Sequence, residues 1–243
     1  MNIALIGYGR MARAIEQEAI DRQHVIAGIF DLPNPITDET NLSHLDVCID
    51  FSLPDAVLSN VRHVAAAGKN MVIGTTGWYD RLPEVEKFAR TRRIGIIYAP
   101  NFSFGVNLFF EIVEKASELL SPFSQYDPYI HEWHHRHKAD SPSGTAHHLS
   151  HIIIDKIERK KTAISGDVTG RIPEDHIHIS ALRAGGAPGS HTIGFDSDID
   201  TITLTHSARD RRGFAQGAVS AAEWIAGKQG LFTMRDLLKT FKL

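Results

Sequence analysis

One sixteen-residue stretch gathers most of the groups that could do chemistry: His131-Glu132-Trp133-His134-His135-Arg136-His137-Lys138-Ala139-Asp140-Ser141-Pro142-Ser143-Gly144-Thr145-Ala146. Its first eight positions hold four histidines, one arginine and one lysine. Histidine titrates near neutral pH and can donate or accept a proton, and Lys138 supplies a point charge and a proton. Ser143-Gly144-Thr145 then opens a helical pattern, and a helix start offers unpaired amides and hydroxyls to a carboxylate. Three readings compete. Clustered His and Glu are natural zinc ligands. However, no HExxH spacing or cysteine pair is present, and adjacent His134 and His135 cannot point the same way on an extended chain. A solvated polar loop is the second reading. The third, which the pattern favours, is a site for an anionic substrate with acid–base chemistry and no metal.

A second motif lies at the other end of the chain. Gly7-Tyr8-Gly9-Arg10-Met11-Ala12 follows a strand pattern and opens a helix, the context in which G-x-G-x-x-G/A binds a dinucleotide. The first glycine permits the turn, the second admits the pyrophosphate, and a small third residue lets helix and strand pack. Asp31 ends the second strand, 22 residues after Gly9, close to where an acid meets the adenosine ribose. Gly74-Thr75-Thr76-Gly77 and Ala99-Pro100-Asn101-Phe102 follow later strands, on the side where open α/β sheets bind ligands. The alternatives are a glycine turn that binds nothing, or a SAM or FAD site.

The elements that must position these groups follow from hydrophobic pattern. Apolar runs at Ile3 to Ile6, Val25 to Phe30, Val47 to Phe51, Met71 to Thr75 and Ile94 to Tyr98 read as buried parallel strands. Helical patterns at Met11 to Ile20, Ala56 to Ala67 and Pro83 to Arg92 lie between several of them, predicting a parallel sheet with crossover helices. After Pro100 the rhythm changes. A helix is predicted from about Val106 to Leu120, a strand near Tyr129 to Trp133, a helix from Ala146 to Glu158 and a polar loop from Thr162 to Asp175. Strands follow at Ile177 to Leu182, Thr192 to Phe195 and Thr201 to Thr205. Their short connections predict a mostly antiparallel or mixed sheet in a second, α+β domain. The last helix, Phe214 to Ala226, is rich in small residues and suits a return to the first domain.

The 243 residues suffice for one large or two small domains. A charge of −3, with no charged tail, argues against wholesale nucleic-acid binding. No apolar run approaches the ~18 residues of a membrane helix. The opening Met1-Asn2-Ile3-Ala4-Leu5-Ile6 is a strand pattern without a basic leader, so no signal peptide and a cytoplasmic location are expected. Cys48, the single cysteine, reads as a small buried hydrophobe.

The segment Glu132-x-His134-His135-x-x-Lys138-x-Asp140-x-Pro142-Ser143-Gly144-Thr145-Ala146 resembles the signature of the dihydrodipicolinate reductase family. The resemblance extends to Gly7–Ala12, Gly74–Gly77, Ala99–Ser103 with Gly105-Val106-Asn107, and Thr205-His206 through Arg211 and Phe214-Ala215-x-Gly217-Ala218, nearly the whole chain. It implies a Rossmann-like cofactor domain, residues 1–102 and 214–243, and a substrate-binding and oligomerisation domain, residues 103–213, forming a homotetramer. It implies NAD(P)H-dependent reduction of 4-hydroxy-tetrahydrodipicolinate, a small cyclic dicarboxylate, to tetrahydrodipicolinate in diaminopimelate and lysine biosynthesis. By matching, His134 is the acid/base histidine, His135 contacts substrate, Lys138 donates a proton, Gly144 and Thr145 bind a carboxylate, and Arg211 lies near the substrate. Gly74 to Thr76 and Ala99 to Phe102 match cofactor contacts.

Two departures stand out: the glycine loop lacks one residue found in many members, and Leu32 to Leu45 is short, so an early helix should be trimmed or missing. Leu32 and Pro33 place no cation after Asp31, so NADH should be preferred modestly over NADPH, with Arg10 and Arg13 the only compensating charges nearby. Hinges near Phe102 and Phe214 are expected if two domains close. The rivals are another two-domain amino-acid dehydrogenase and a nucleotide-sensing protein without turnover.

Overall fold

The computed structural model describes residues 1–241; Lys242 and Leu243, counted above in the first domain, lie outside them. The chain divides into two compact units, Met1–Phe104 with the chain from Arg211 onward, and Gly105–Asp210.

The first unit alternates as the apolar runs require. Strands β1 (Asn2–Ile6), β2 (Val25–Phe30), β3 (Val47–Asp50), β4 (Asn70–Ile73) and β5 (Gly95–Tyr98) are parallel, with helices α1 (Arg10–Asp21), α2 (Pro54–Ala66) and α3 (Leu82–Arg92) between them. Strand parity splits the core between the two faces of the sheet. Ile3, Leu5, Val47, Ile49, Val72 and Ile97 pack toward one side, and Ala4, Ile6, Cys48, Met71, Ile73 and Ile96 toward the other. Cys48 is buried as expected, and burial pushes its thiol up to about 12. No helix forms between Leu32 and Leu45, in line with the shortened segment.

The second unit opens with helix α4 (Phe104–Leu120), whose first residue closes the Met1–Phe104 segment of the first unit. Strand β6 (Asp127–His134), helix α5 (Gly144–Lys156), and strands β7 (Thr162–Ser165), β8 (His176–Arg183), β9 (Ser190–Asp196) and β10 (Thr201–Ser207) follow. The sheet order is β10-β9-β6-β8-β7. It is mixed: β9 runs antiparallel to β6 and β10, while β8 runs parallel to β6 and β7. Ile130, Ile177, Ile179, Ile193 and Phe195 pack against Val113, Leu149 and Ile153 of α4 and α5. The stretch read as polar loop begins instead with β7, whose four residues are too few to show alternation.

The chain then returns to the first unit. Helix α6 (Arg212–Trp224) buries Ala215, Ala218, Val219, Ala221 and Ala222 in the core that α1 also covers. Gly217 is obligatory there, because a Cβ would stand 1.7 Å from the Phe102 carbonyl oxygen. Strand β11 (Gly230–Thr233) and helix α7 (Met234–Leu238) were not legible in the sequence; β11 pairs with β5 and completes the order β11-β5-β4-β3-β1-β2. The chain steps from β2 across β1 to β3, which places a topological switch at the C-terminal ends of β1 and β3. Among the described residues no helix is long and apolar enough to cross a membrane.

Candidate active site

The glycine loop sits at that switch. Gly7 adopts φ +79°, and a Cβ on it would lie 2.5 Å from the Phe51 carbonyl oxygen. A Cβ on Gly9 would meet nothing within 4 Å, so the loop's backbone is open on the side where α1 begins. Helix α1 has no side-chain cap, and its first intrahelical bond is Arg13 N to Gly9 O, 3.2 Å. The amides of Arg10, Met11 and Ala12 therefore find no acceptor among the described residues, as an anion-binding helix start requires.

A cavity of about 450 Å³ is lined by Gly7, Tyr8, Gly9, Asp31, Ser52 and Asn60 among others. A second, of about 330 Å³, is lined by Gly9, Arg10, Met11, Gly74, Thr75 and Thr76 among others. Asp31 accepts from Tyr8 N at 3.3 Å and Leu32 N at 2.8 Å. Amide donors at a helix start beside a strand-end carboxylate match the pyrophosphate and ribose of a dinucleotide. Arg13, read above as a compensating charge near the glycine loop, lies over the Tyr8 ring at 5.1 Å from its centroid. Ala99, Pro100, Asn101 and Phe102 line neither cavity. Ala99 and Phe102 are buried in the core, Phe102 beside Phe51 at a 6.1 Å ring separation, so their side chains serve packing.

Sequence reasoning missed the brace beneath these cavities. Asp50, fully buried, accepts from Ser52 N (2.9 Å), Ser52 Oγ (2.7 Å), Thr75 Oγ1 (2.8 Å) and Asn60 Nδ2 (2.9 Å). Burial pushes its carboxyl up against the pull of these donors. The acid ties the loop after β3 to the loop after β4. A buried Asp closing an apolar strand was the available signal.

In the second unit, β6 alternates strictly, with Pro128, Ile130, Glu132 and His134 inward and His131 and Trp133 outward. The histidine cluster is thereby dispersed. His131 lies on the outer face, 3.4 Å from Ser180 Oγ. His135 and His137 fall in the loop after β6, with ring centroids 6.4 Å apart.

His134 stays inside, beside Glu132, which is 0% exposed. Register delivers the partners that spacing could not show, since Glu132 stands opposite His191 on β9 and His134 opposite Arg183 on β8. Glu132 Oε1 accepts from Arg183 at 2.6 Å and from Ser143 N at 2.9 Å. Oε2 faces His134 Nδ1 at 3.3 Å and His191 Nε2 at 3.4 Å. Burial pushes the Glu132 carboxyl up, but His134, His191, Ser143 and Arg183 together hold it well below the usual carboxylate range. Burial pushes the His191 imidazole down, against the raising pull of Glu132. Atoms of Glu132, His134 and His191 also lie within 4.8 Å of one another, close enough to chelate a metal. Arg183 already supplies the positive charge that a cation would bring to this carboxylate.

Ser143 caps α5. Its hydroxyl accepts from Ala146 N at 3.2 Å and lies 3.1 Å from His191 Nε2. The first intrahelical bond is His147 N to Ser143 O, 3.1 Å. With the Ser143 amide held by Glu132 and the Ala146 amide by the cap, the Gly144 and Thr145 amides are left without an acceptor among the described residues. The helix begins two residues before the predicted Ala146, which places both amides in its first turn. Lys138 Nζ donates to both carboxylate oxygens of Asp140, at 2.7 and 2.9 Å. Arg211 is exposed at the N-cap of α6 and belongs to the first unit, not to the unit of Ser143, Gly144 and Thr145.

A Rossmann-type sheet with an open glycine loop defines the class, an α/β protein with a dinucleotide-binding type of fold. The model of the dihydrodipicolinate reductase N-terminus matches residues 1–102 and that of its C-terminus residues 105–238, and the chain belongs to this family. It is 41% identical over 239 residues to the 4-hydroxy-tetrahydrodipicolinate reductase of Christiangramia forsetii, covering 98% of each chain. It is 42% identical over 206 residues to that of Magnetococcus marinus, covering 82% of this chain and 75% of the relative. Its fold is similar to that of a dipicolinate-bound dihydrodipicolinate reductase from Paenisporosarcina sp. TG-14, with TM-score 0.76, 23% identity and coverage of 96% and 97%.

Proposed function

We propose that the chain reduces 4-hydroxy-tetrahydrodipicolinate with NAD(P)H and a proton to tetrahydrodipicolinate and water, the hydroxyl leaving as that water, in the route to diaminopimelate and lysine. Family membership supports this reading, and one structural observation carries it to particular atoms. The start of α5 leaves two adjacent amides, Gly144 and Thr145, without an acceptor, close in sequence to an ammonium and a buried acid–base histidine. That arrangement suits a carboxylate-bearing ring that must accept a proton.

In this reading the first unit is the dinucleotide-binding domain and the second binds substrate. The Gly7–Ala12 loop and α1 amides hold the pyrophosphate, Asp31 the adenosine ribose, and Gly74 to Thr76 the nicotinamide side, with Ala99 to Phe102 contributing backbone only. Bound nicotinamide supplies the hydride. Gly144 and Thr145 hold a carboxylate, with His135 and Arg211 as further substrate contacts. Lys138 provides a proton and His134 acts as acid or base. Fixed donors and charges acting where negative charge develops do most of the catalytic work. NADH is preferred modestly, because Asp31 repels a 2′-phosphate and Arg13 is engaged by Tyr8.

The second unit also forms the oligomer interface of a homotetramer. Tyr129, Trp133 and Leu182 are exposed on the sheet face opposite Ile130 and Ile179, an apolar surface that a second copy would cover. A monomeric mass in light scattering would contradict this. The cytoplasm is the proposed compartment.

The test of the site is ligand competition. Pyridine-2,6-dicarboxylate presents two carboxylates on a flat ring and should bind competitively with substrate. No competition at millimolar concentration would remove the dicarboxylate reading.

A further inference from the structure

Glu132 occupies an unusual position for a carboxylate. It is fully buried on an inward strand position, and its two oxygens have different tasks. Oε1 is satisfied by Arg183 and the Ser143 amide, at 2.6 and 2.9 Å. Oε2 makes no hydrogen bond among the described residues; His134 Nδ1 and His191 Nε2 approach it at 3.3 and 3.4 Å as charge contacts only. A buried anionic oxygen does not tolerate a nitrogen lone pair at such distances, whereas an N–H turned toward it is stabilised. The charge of Glu132 therefore selects which nitrogen of each ring carries hydrogen.

We infer that Glu132 is a positioning residue that fixes the tautomers of His134 and His191, so that His134 carries its hydrogen on Nδ1 and turns Nε2 away from the carboxylate. The surroundings of the ring agree. His134 Nε2 points at Gly189, where a Cβ would come within 2.8 Å, so that nitrogen is reached past a residue with no side chain. His191, with its hydrogen on Nε2, directs the same N–H toward Ser143 Oγ at 3.1 Å. Ser143 Oγ also accepts from Ala146 N, so both of its lone pairs are engaged. Its hydroxyl hydrogen then has no acceptor among the contacts of the described residues, and it becomes a third donor at the α5 start beside the Gly144 and Thr145 amides. One carboxylate thus sets the proton inventory of both the acid–base histidine and the anion-binding helix start.

The catalytic part of this inference rests on the proposed reductase site; the tautomer assignment does not. The experiment is ¹⁵N–¹H correlation of the imidazole nitrogens in the full chain. The wild-type protein should show His134 protonated on Nδ1 and His191 on Nε2 in their neutral forms. Glu132→Gln should redistribute both tautomers and lower kcat by about 10²–10⁴-fold, the range of a positioned acid–base group that a ring held in the wrong tautomer can no longer supply. Its dissociation constant for NADH should stay within about twofold. Glu132→Asp, which keeps the charge, should restore the wild-type tautomers and part of kcat. His134 protonated on Nε2 in the wild type would overturn the inference even if the variants failed to fold. Redistributed tautomers with wild-type kcat would remove the positioning role. Absence of reductase activity in the wild type, with the tautomers as assigned, would instead overturn the substrate reading and the catalytic role with it, leaving the tautomer assignment standing.

Discussion

Gly189→Ala isolates the contribution of His134 without touching any group that carries charge. Gly189 has φ +148°, a conformation that L side chains rarely adopt, and its backbone is pinned by Ala208 N donating to Gly189 O at 2.9 Å. The added Cβ would stand 2.8 Å from His134 Nε2, about 0.6 Å inside the 3.4 Å of ordinary contact. Since the Gly189 backbone is held, the imidazole must yield, and it can do so only by changing its approach to Glu132 Oε2. A non-glycine residue at such a φ costs about 1–3 kcal/mol, which lowers Tm by roughly 2–12 °C in a protein of this size. A misplacement of about 1 Å in a catalytic group can cost about 10²-fold in rate, so a 0.6 Å shift should lower kcat by roughly 10- to 100-fold. The assay is steady-state turnover with NADH, paired with a thermal melt and a cofactor titration. The NADH dissociation constant should not move, since Gly189 belongs to the second unit. A melting temperature lowered as stated with kcat within twofold of wild type would refute the reasoning, because His134 Nε2 would then not face the chemistry.

Three further outcomes follow. Lys138→Ala should lower turnover by about 10²–10⁴-fold, the range for a positioned general acid, and weaken substrate binding; near-wild-type kinetics would remove Lys138 from the mechanism. Wild-type kcat/KM should favour NADH over NADPH by roughly 5- to 30-fold, since a charge repulsion is worth about 1 kcal/mol when exposed and about 2 kcal/mol when partly buried, and Asp31→Ser should narrow that gap in parallel assays at fixed ionic strength; a clear NADPH preference would mean that Arg10 or Arg13 outweighs Asp31. Glu132 is held below its ordinary value of 4.5, so its stabilisation is complete above that pH and is lost as the medium is acidified through and below it; Tm should therefore fall more steeply between about pH 5 and pH 3 in wild type than in Glu132→Gln, and parallel acid limbs would contradict this.

The sequence made the parallel strands and the glycine loop legible because buried parallel strands are continuous apolar runs and the loop's chemistry is local. The α5 start was legible for the same reason, since Ser143-Gly144-Thr145 is a cap written in consecutive residues. Strand parity also announces Glu132: it shares a face with Ile130 and His134, and a carboxylate on the inward face of a strand must have partners. Those partners, Arg183 and His191, come from β8 and β9 through sheet register, which no local spacing encodes. The β11 strand and α7 are not legible in the sequence because Gly230–Thr233 is too short for periodicity and gains its stability by pairing with β5. Phe102 looked like a ligand contact from its place after a strand; its side chain instead fills the core above Gly217.

The most direct test of the account is turnover itself. 4-Hydroxy-tetrahydrodipicolinate is generated in situ by a coupling synthase, and nicotinamide absorbance is followed with purified chain. The account predicts oxidation of NADH that depends on both the coupling synthase and this chain, is slower with NADPH, and falls by at least about 10²-fold in Lys138→Ala. A folded protein that binds NADH and leaves its absorbance unchanged in the presence of that substrate would contradict it.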